Sequence, residues 1–123
     1  MRGGTHDPAA CWDALRKWLR KKAQAVLIPR LQALAEEQGF AVKNVTIRAS
    51  RTRWASCSPR GTISLSLRLL FLPQDLVDYV LLHELCHTKQ PNHSQAFWQL
   101  VARHDPDYRE KVQRLRKIWV PDL

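Results

Sequence analysis

The sequence predicts an α+β domain: a long N-terminal helix, a small three-stranded antiparallel sheet, a helix carrying an H-E-x-x-H motif and two closing C-terminal helices. Two patterns predict this order. Apolar residues recur at helical spacing up to Gly39 and again after Pro73, whereas between residues 44 and 68 they alternate with polar residues. The chain has 123 residues, 45% hydrophobic and 25% charged, which fits one globular domain spanning residues 1–123.

The first helix is predicted to begin after a loose tail of residues 1–6. Asp7 can cap free N–H groups of the first turn, and Pro8 is tolerated there because its missing N–H would have no intrahelical partner. Pro29 predicts a kink or a break near residues 25–29. An apolar stripe at helical spacing predicts the inward side of the helix: Trp12, Leu15, Leu19, Ala23, Val26, Leu27 and Leu34.

Residues 44–68 have the two-residue period of half-buried strands. Apolar residues alternate with polar ones in two runs: Val45, Ile47, Ala49 and then Ile63, Leu65, Leu67. Residues 58–61 read Ser-Pro-Arg-Gly, with proline second and glycine fourth, as type I turns prefer. We therefore expect residues 52–57 to pair antiparallel with residues 62–67. Together with the first run they form the small three-stranded antiparallel sheet.

The helix that Pro73 begins is predicted to continue to about Lys89 and to carry the sequence H-E-L-C-H from His83 to His87. Two histidines four positions apart on a helix lie about one turn apart on the same face. The chain turns at a Pro-Asn pair after this helix, and His93 follows directly. The three histidines are therefore candidate ligands for one metal ion.

Zinc binds imidazole readily and prefers about four ligands, so three histidines leave one position for water. Glu84, beside the first ligand but not bound to metal, is placed to take a proton from that water as it attacks a substrate. One zinc ion per chain is expected. His104 is the rival third ligand. Tyr79, one turn before His83, can donate a hydrogen bond to a developing oxyanion or simply pack in the core.

Two shorter helices are predicted to close the domain. Ser94 caps the first of them, which buries Phe97, Trp98 and Val101. Asp105 and Pro106 begin the second, and Pro121 ends it. Its apolar stripe is expected to dock on the core and consists of Tyr108, Val112, Leu115 and Trp119.

The chain is strongly basic, with 20 Lys and Arg against 11 Asp and Glu, a net charge of +9 and a pI near 10.1. Such a charge favours partners such as nucleic acid, nucleotides or other phosphates, although a merely solvated surface is as good an explanation. Candidate substrate-binding arginines cluster around the predicted hairpin: Arg51, Arg53, Arg60 and Arg68. The alternative is that they are edge charges that discourage strand addition.

The cysteines Cys11, Cys57 and Cys86 are odd in number and form no C-x-x-C pair. The sequence therefore indicates neither a disulfide framework nor a thiolate zinc site, and all three are expected to be small buried fillers. No segment approaches the roughly 20 apolar residues that span a bilayer, and the first residues lack the apolar core of a signal peptide. A cytoplasmic protein without a membrane partner is expected.

An ordered set of motifs from about residue 50 to 110 resembles the YgjP-like metallopeptidase domain, a family similar to the SprT and WLM zinc peptidases. The motifs are Arg53-Trp54-Ala55-Ser56-Cys57-Ser58, Gly61-Thr62-Ile63-Ser64-Leu65, Asp78-Tyr79-Val80 before H-E-L-C-H, Asn92-His93-Ser94 with Phe97-Trp98, and Pro106-Asp107-Tyr108. The resemblance implies zinc held by His83, His87 and His93, with Glu84 as the general base. It also implies a minigluzincin-like architecture and a peptide or protein substrate.

Three functions fit these residues. The first is a zinc-dependent metallopeptidase, whose hairpin edge aligns an extended peptide as an added strand. The second keeps the metal and Glu84 but hydrolyses the phosphoanhydride of a nucleotide triphosphate held by the arginines. The third is a non-enzymatic, basic nucleic-acid-binding module with a structural zinc. Glu84 argues against the third, because a structural site does not need a carboxylate beside an open coordination position.

Overall fold

The computed structural model describes residues 8–50 and 52–118. It confirms the α+β class, and its elements in chain order are α1 (Pro8–Gln38), β1 (Asn44–Arg48), β2 (Ala55–Cys57), β3 (Thr62–Ser66), a short 3-10 helix (Leu67–Phe71), α2 (Gln74–His87), α3 (Gln95–His104) and α4 (Tyr108–Lys117). The expected tail, the cap at Asp7, the end of the apolar stripe at Trp119 and the stop at Pro121 lie outside the described residues.

The helix α1 runs through Pro29 without the break that the sequence allowed. Proline removes a single donor, whose acceptor would be the carbonyl of Ala25, and both residues are exposed, so water can satisfy that oxygen. The end of α1 follows the prediction. Gly39 has a positive φ of 80°, and the N–H of Phe40 donates to the carbonyl of Ala35 at 2.8 Å, which is the pattern of a Schellman motif.

Only the later part of the predicted apolar stripe of α1 is buried. Leu19, Ala23, Leu27 and Leu34 belong to the core, together with Leu31 and Ala35. The prediction was wrong for Trp12, Leu15 and Val26, which are 43%, 37% and 41% exposed. With 31 residues the helix is roughly 46 Å long. Among the described side chains the first buried one is that of Leu19, so the preceding turns extend past the core.

The sheet is mixed rather than wholly antiparallel. Its strand order is β1-β3-β2, with β2 antiparallel to β3 as predicted and β1 parallel to β3. The hairpin turn forms as expected, because the N–H of Gly61 donates to the carbonyl of Ser58 at 2.9 Å and Gly61 has a φ of 88°. After β1 the chain passes over the position of β3 and forms β2 at the far edge of the sheet. The hairpin then brings β3 back between β2 and β1, so that β3 runs parallel to β1.

The core lies between α1, the inner face of the sheet and α2. α2 buries nine of its 14 residues, which makes it the central element of the fold. Ser94 caps α3 as predicted, accepting from the N–H of Phe97 at 3.4 Å. α4 buries no residue, and the part of its stripe that the structure describes is only half-buried: Tyr108, Val112 and Leu115. No helix within the described residues is long and apolar enough to cross a membrane.

All three cysteines are free. Their expected role as buried fillers holds for Cys86 alone. Cys57 is half-buried on β2, and Cys11 is exposed because it lies on the turns of α1 that extend past the core.

Candidate metal centre

Three histidine side chains converge beside α2. His83 and His87 lie one turn apart on that helix, and His93 reaches them from the loop between α2 and α3. The Nε2 atom of His93 is 3.0 Å from Nε2 of His87 and 3.4 Å from Nε2 of His83. One nitrogen from each ring lies within 4.8 Å of the others, so the three could hold a metal ion. His93 thus stands where the sequence predicted the third ligand.

A hydrogen bond on the far side of the His87 ring selects the tautomer that a metal needs, and one on the far side of the His83 ring is compatible with it. Nδ1 of His87 is 3.1 Å from the carbonyl of Gln90, which can only accept, so we assign the proton to Nδ1 and a free lone pair to Nε2. Nδ1 of His83 is 3.2 Å from the hydroxyl of Tyr79, which can accept the Nδ1 proton in the same way. Tyr79 itself is buried, and burial raises the pKa of its phenol.

Burial also favours the neutral, metal-binding form of the two imidazoles on α2, His83 and His87. Burial and then the neighbouring His87 and His93 rings lower the pKa of His83 to about 4, and burial lowers the pKa of His87. Glu84 is 5% exposed, and burial raises its pKa to about 7 against the opposing charge of Arg53. Its buried Oε1 has no hydrogen-bond partner among the described residues. An orphaned carboxylate oxygen beside convergent imidazoles fits a site built for a metal and its water.

Aromatic rings hold the histidines in place from the other side. Phe97 stacks on His87 with ring centroids 4.3 Å apart, and Trp98 stacks on His93 at 5.8 Å. Tyr108 stacks in turn on Trp98 at 5.5 Å. The sequence indicated Phe97 and Trp98 only as core residues of α3. Their contact with the histidines could have been anticipated from their place within five residues of His93.

A cavity of about 310 Å³ opens beside the histidines. Its walls come from the segment before β2, from α2, from α3 and from α4, and most of them are apolar or aromatic. The described residues that line it are Thr52, Arg53, Trp54, Ala55, Tyr79, Val80, His83, Glu84, Trp98, Val112 and Leu115. The cavity therefore gives a substrate access to one side of the metal centre.

The structure separates the four candidate arginines. Arg53 is exposed and lines the cavity. Arg68 is 5% exposed, and its guanidinium donates to the carbonyls of Ala49 and Ser50, so it lies inside the fold. Arg60 is exposed in the hairpin turn and does not line the cavity, and Arg51 lies outside the described residues.

The rival ligand His104 lies apart from the three converging histidines. Its Nδ1 is 2.7 Å from Oε1 of Gln38, and its ring packs on Phe40 with centroids 5.0 Å apart. Both partners belong to the end of α1 and the residues that follow it. His104 therefore ties the end of α3 to the end of α1.

Comparison with known proteins agrees with this geometry. The family described as YgjP-like, metallopeptidase domain, matches residues 2–118. The chain is 24% identical over 130 residues to a protein of Escherichia coli (strain K12) named UTP pyrophosphatase, covering 98% of this chain and 74% of that one.

Two solved structures share the fold. The metallopeptidase zymogen of Pyrococcus abyssi abylysin superposes with a TM-score of 0.64 at 29% identity, covering 73% of this chain and 91% of abylysin. The metallopeptidase zymogen of Methanocaldococcus jannaschii jannalysin has a TM-score of 0.64 at 19% identity, covering 74% of this chain and 94% of jannalysin. At that identity the second similarity concerns the fold alone.

Proposed function

The chain belongs to the YgjP-like metallopeptidase domain family, and we propose that it is a zinc-dependent metallopeptidase. The observation that carries the proposal is the convergence of three imidazoles beside a buried carboxylate, at the edge of an open cavity. Imidazole-only donor sets of this kind suit zinc, and three of them leave a coordination position free. We expect one zinc ion per chain.

In this proposal His83, His87 and His93 hold the ion. Bound there, zinc would act as a Lewis acid that polarises the scissile carbonyl and lowers the pKa of a water ligand. Glu84 takes the proton of the attacking water and delivers it to the leaving amine. Burial suits it to this role, because it brings the pKa of the carboxyl to about 7. Tyr79 orients the His83 ring by accepting a hydrogen bond from its Nδ1–H.

The position of β2 supports a peptide as the substrate. β2 is an edge strand of the sheet, paired with β3 on one side, and the residues just before it line the cavity. An extended peptide could add to the free edge through main-chain hydrogen bonds while its side chains enter the apolar cavity. The aromatic and aliphatic walls provided by Trp54, Trp98 and Leu115 suit apolar side chains.

A nucleotide triphosphate is the second candidate substrate. It is favoured by the name of the Escherichia coli relative. It is also favoured by Arg53, which lines the cavity and interacts electrostatically with Glu84. Arg53 is, however, the only lysine or arginine among the described residues that line the cavity. A triphosphate carries several negative charges, so phosphoryl sites generally use more cationic groups than this. The peptide remains the better fit to the described walls.

A basic nucleic-acid-binding module with a merely structural zinc is the least suited to the site. A structural zinc needs a closed set of ligands, whereas here a cavity of about 310 Å³ reaches His83 and Glu84. A buried, unpartnered carboxylate beside the ligands would only destabilise such a site.

The deciding experiment incubates the zinc-loaded protein with a quenched-fluorescence peptide library and with a panel of nucleotide triphosphates in parallel. The Glu84→Gln variant serves as the control in both assays. We expect peptide cleavage that is lost in the variant. Efficient Glu84-dependent release of pyrophosphate, without cleavage of any peptide, would replace the peptidase by the nucleotide hydrolase.

A further inference from the structure

A second open region of the molecule lies on the side of the sheet away from β2. A cavity of about 620 Å³ between α1 and β1 is lined by Arg20, Thr46 and Arg48 among others. A smaller cavity of about 60 Å³ shares Arg48 and Ser50 with this first cavity. It shares Arg53 with the cavity of about 310 Å³ beside the histidines, which we call the catalytic cavity. Each cavity therefore shares lining residues with the next. We call the surface marked by Arg20, Arg48, Ser50 and Arg53 the basic groove.

Hydroxyl groups line up across the sheet beside the basic groove. Thr46 is paired with Ser64, and Ser64 with Ser56, so one residue from each strand forms a row on the same face. The hydroxyls of Thr46 and Ser64 are 2.9 Å apart, and all three residues are half-buried. Such a row offers donors to an anionic ligand without adding negative charge.

Within the described residues, Arg20 and Arg48 of the basic groove have no acidic partner, whereas the charge of Arg53 acts on the buried Glu84. No Asp or Glu lines either of its two cavities. Arg20, Arg48 and Arg53 are exposed and form no ion pair with any described acidic residue, whereas Arg16, Arg30 and Arg114 each do. Arg20 and Arg48 line one cavity, and Arg48 and Arg53 line the next, so the basic groove presents positive charge to an anionic ligand.

We propose that the basic groove binds an acidic stretch of polypeptide and feeds it toward the catalytic cavity; as a substrate-binding site it rests on the proposed peptidase function. Arginine guanidinium groups bind carboxylates in a bidentate manner, and the hydroxyl row supplies further donors. No aromatic side chain is among the described residues that line the basic groove, so bases of a single-stranded nucleic acid would find no stacking surface there. That absence favours a peptide over a nucleic acid.

The test measures binding separately from cleavage. Fluorescein-labelled hexaglutamate and hexaglutamine peptides are titrated with the metal-loaded full chain, and fluorescence anisotropy reports the Kd. Arg20→Gln and Arg48→Gln probe the basic groove. Arg103→Gln is the matched control, because it removes the same charge from an exposed position on α3 that lines neither the groove nor the catalytic cavity. Circular dichroism checks that each variant is folded.

We expect wild type to bind hexaglutamate more tightly than hexaglutamine. Arg20→Gln and Arg48→Gln should each weaken hexaglutamate binding by roughly two- to fivefold, and increasing salt should reduce the difference, because the charges are exposed. Arg103→Gln should bind as wild type does. If all three variants weakened hexaglutamate binding equally, the binding would depend on the net charge of the protein and not on the basic groove, and the proposal would be overturned.

A ten-nucleotide oligothymidylate is titrated in parallel. Binding tighter than that of hexaglutamate, weakened by the same two variants, would assign the basic groove to nucleic acid instead and overturn the peptide assignment. For any peptide that the protein cleaves, an added glutamate tail should lower KM and leave kcat unchanged. If no peptide is cleaved but hexaglutamate binds as expected, the peptidase proposal fails while the acidic-peptide site stands.

Discussion

The helices α2 and α4 both line the catalytic cavity, but they are held in the fold in different ways. α2 buries nine of its 14 residues, and α4 buries none of its ten. α4 is held instead by half-buried contacts and by ion pairs, among them Arg114 with Asp75 at 2.5 Å. Of the residues proposed for the chemistry, His83, Glu84 and His87 therefore lie on the most firmly packed element, and His93 lies in the loop that follows it. The wall proposed to meet the substrate lies in part on the weakly packed α4.

The largest difference between the two helices should concern activity. Glu84→Gln removes the proposed base while preserving size and all three candidate ligands, so we expect hydrolysis to fall by about 10²–10⁴-fold with zinc retained. Glu110→Gln, which alters an exposed carboxylate on α4, should leave turnover near the wild-type rate. Steady-state kinetics and metal analysis provide the two readouts. Unchanged turnover in Glu84→Gln would refute the general-base role.

The next difference concerns stability. Leu81 on α2 is fully buried, and truncation to alanine should cost about 2–5 kcal/mol because it leaves a cavity in the core. Val112→Ala on α4 should cost about 1 kcal/mol, since that side chain is half-buried. Denaturant unfolding followed by circular dichroism measures both values. Equal costs would mean that α4 is as firmly packed as α2.

Local patterns predicted some elements in detail. The hairpin of β2 and β3 followed from the proline and glycine of its turn, and the candidate metal centre from the spacing of His83, His87 and His93. The direction of β1 could not be predicted, because alternation shows which face of a strand is buried but not which strand lies beside it. The parallel pairing of β1 with β3 arises from the crossover between distant segments.

Other features of the fold and the site depend on tertiary packing. Arg53 and Arg68 are equally basic in the sequence, yet one lines the cavity and the other donates to buried carbonyls. Trp12 lies on the apolar stripe of α1 but is 43% exposed, because the core does not extend that far. The stacking of Phe97 on His87 likewise depends on how α3 folds back on α2. The positions of the two arginines and of Trp12 are not contained in a local pattern, whereas the nearness of Phe97 to His93 in the sequence was a signal for the third outcome.

A third prediction tests whether α4 forms a wall of the pocket that accepts substrate side chains. Val112→Trp adds a large side chain at a position that lines the catalytic cavity. We expect kcat/KM to fall by about tenfold for peptides with a large apolar side chain beside the scissile bond, and to change less for peptides with alanine there. Zinc content should stay the same. An equal loss for both peptides would show that the substitution disturbs more than the side-chain pocket.

The smallest effect concerns the ion pair that holds α4. The hydrogen bond from Arg114 lowers the pKa of Asp75, so the carboxylate stabilises the fold above its unfolded pKa of about 3.9, and this contribution is lost as pH falls through the lower folded value. Asp75→Asn should lower Tm slightly at pH 7, and the difference from wild type should shrink as pH falls below the unfolded pKa and vanish once pH lies below the lowered folded pKa. A difference that persists there would point to a cause other than charge.

The central claim is that His83, His87 and His93 hold one zinc ion, and metal analysis of dialysed protein tests it most directly. We expect about one zinc per chain in wild type, and loss of most of it in His93→Ala, because two imidazoles alone make a weak site. His104→Ala should keep its zinc, since that ring bonds to Gln38. Full zinc in His93→Ala together with loss of zinc in His104→Ala would contradict the account.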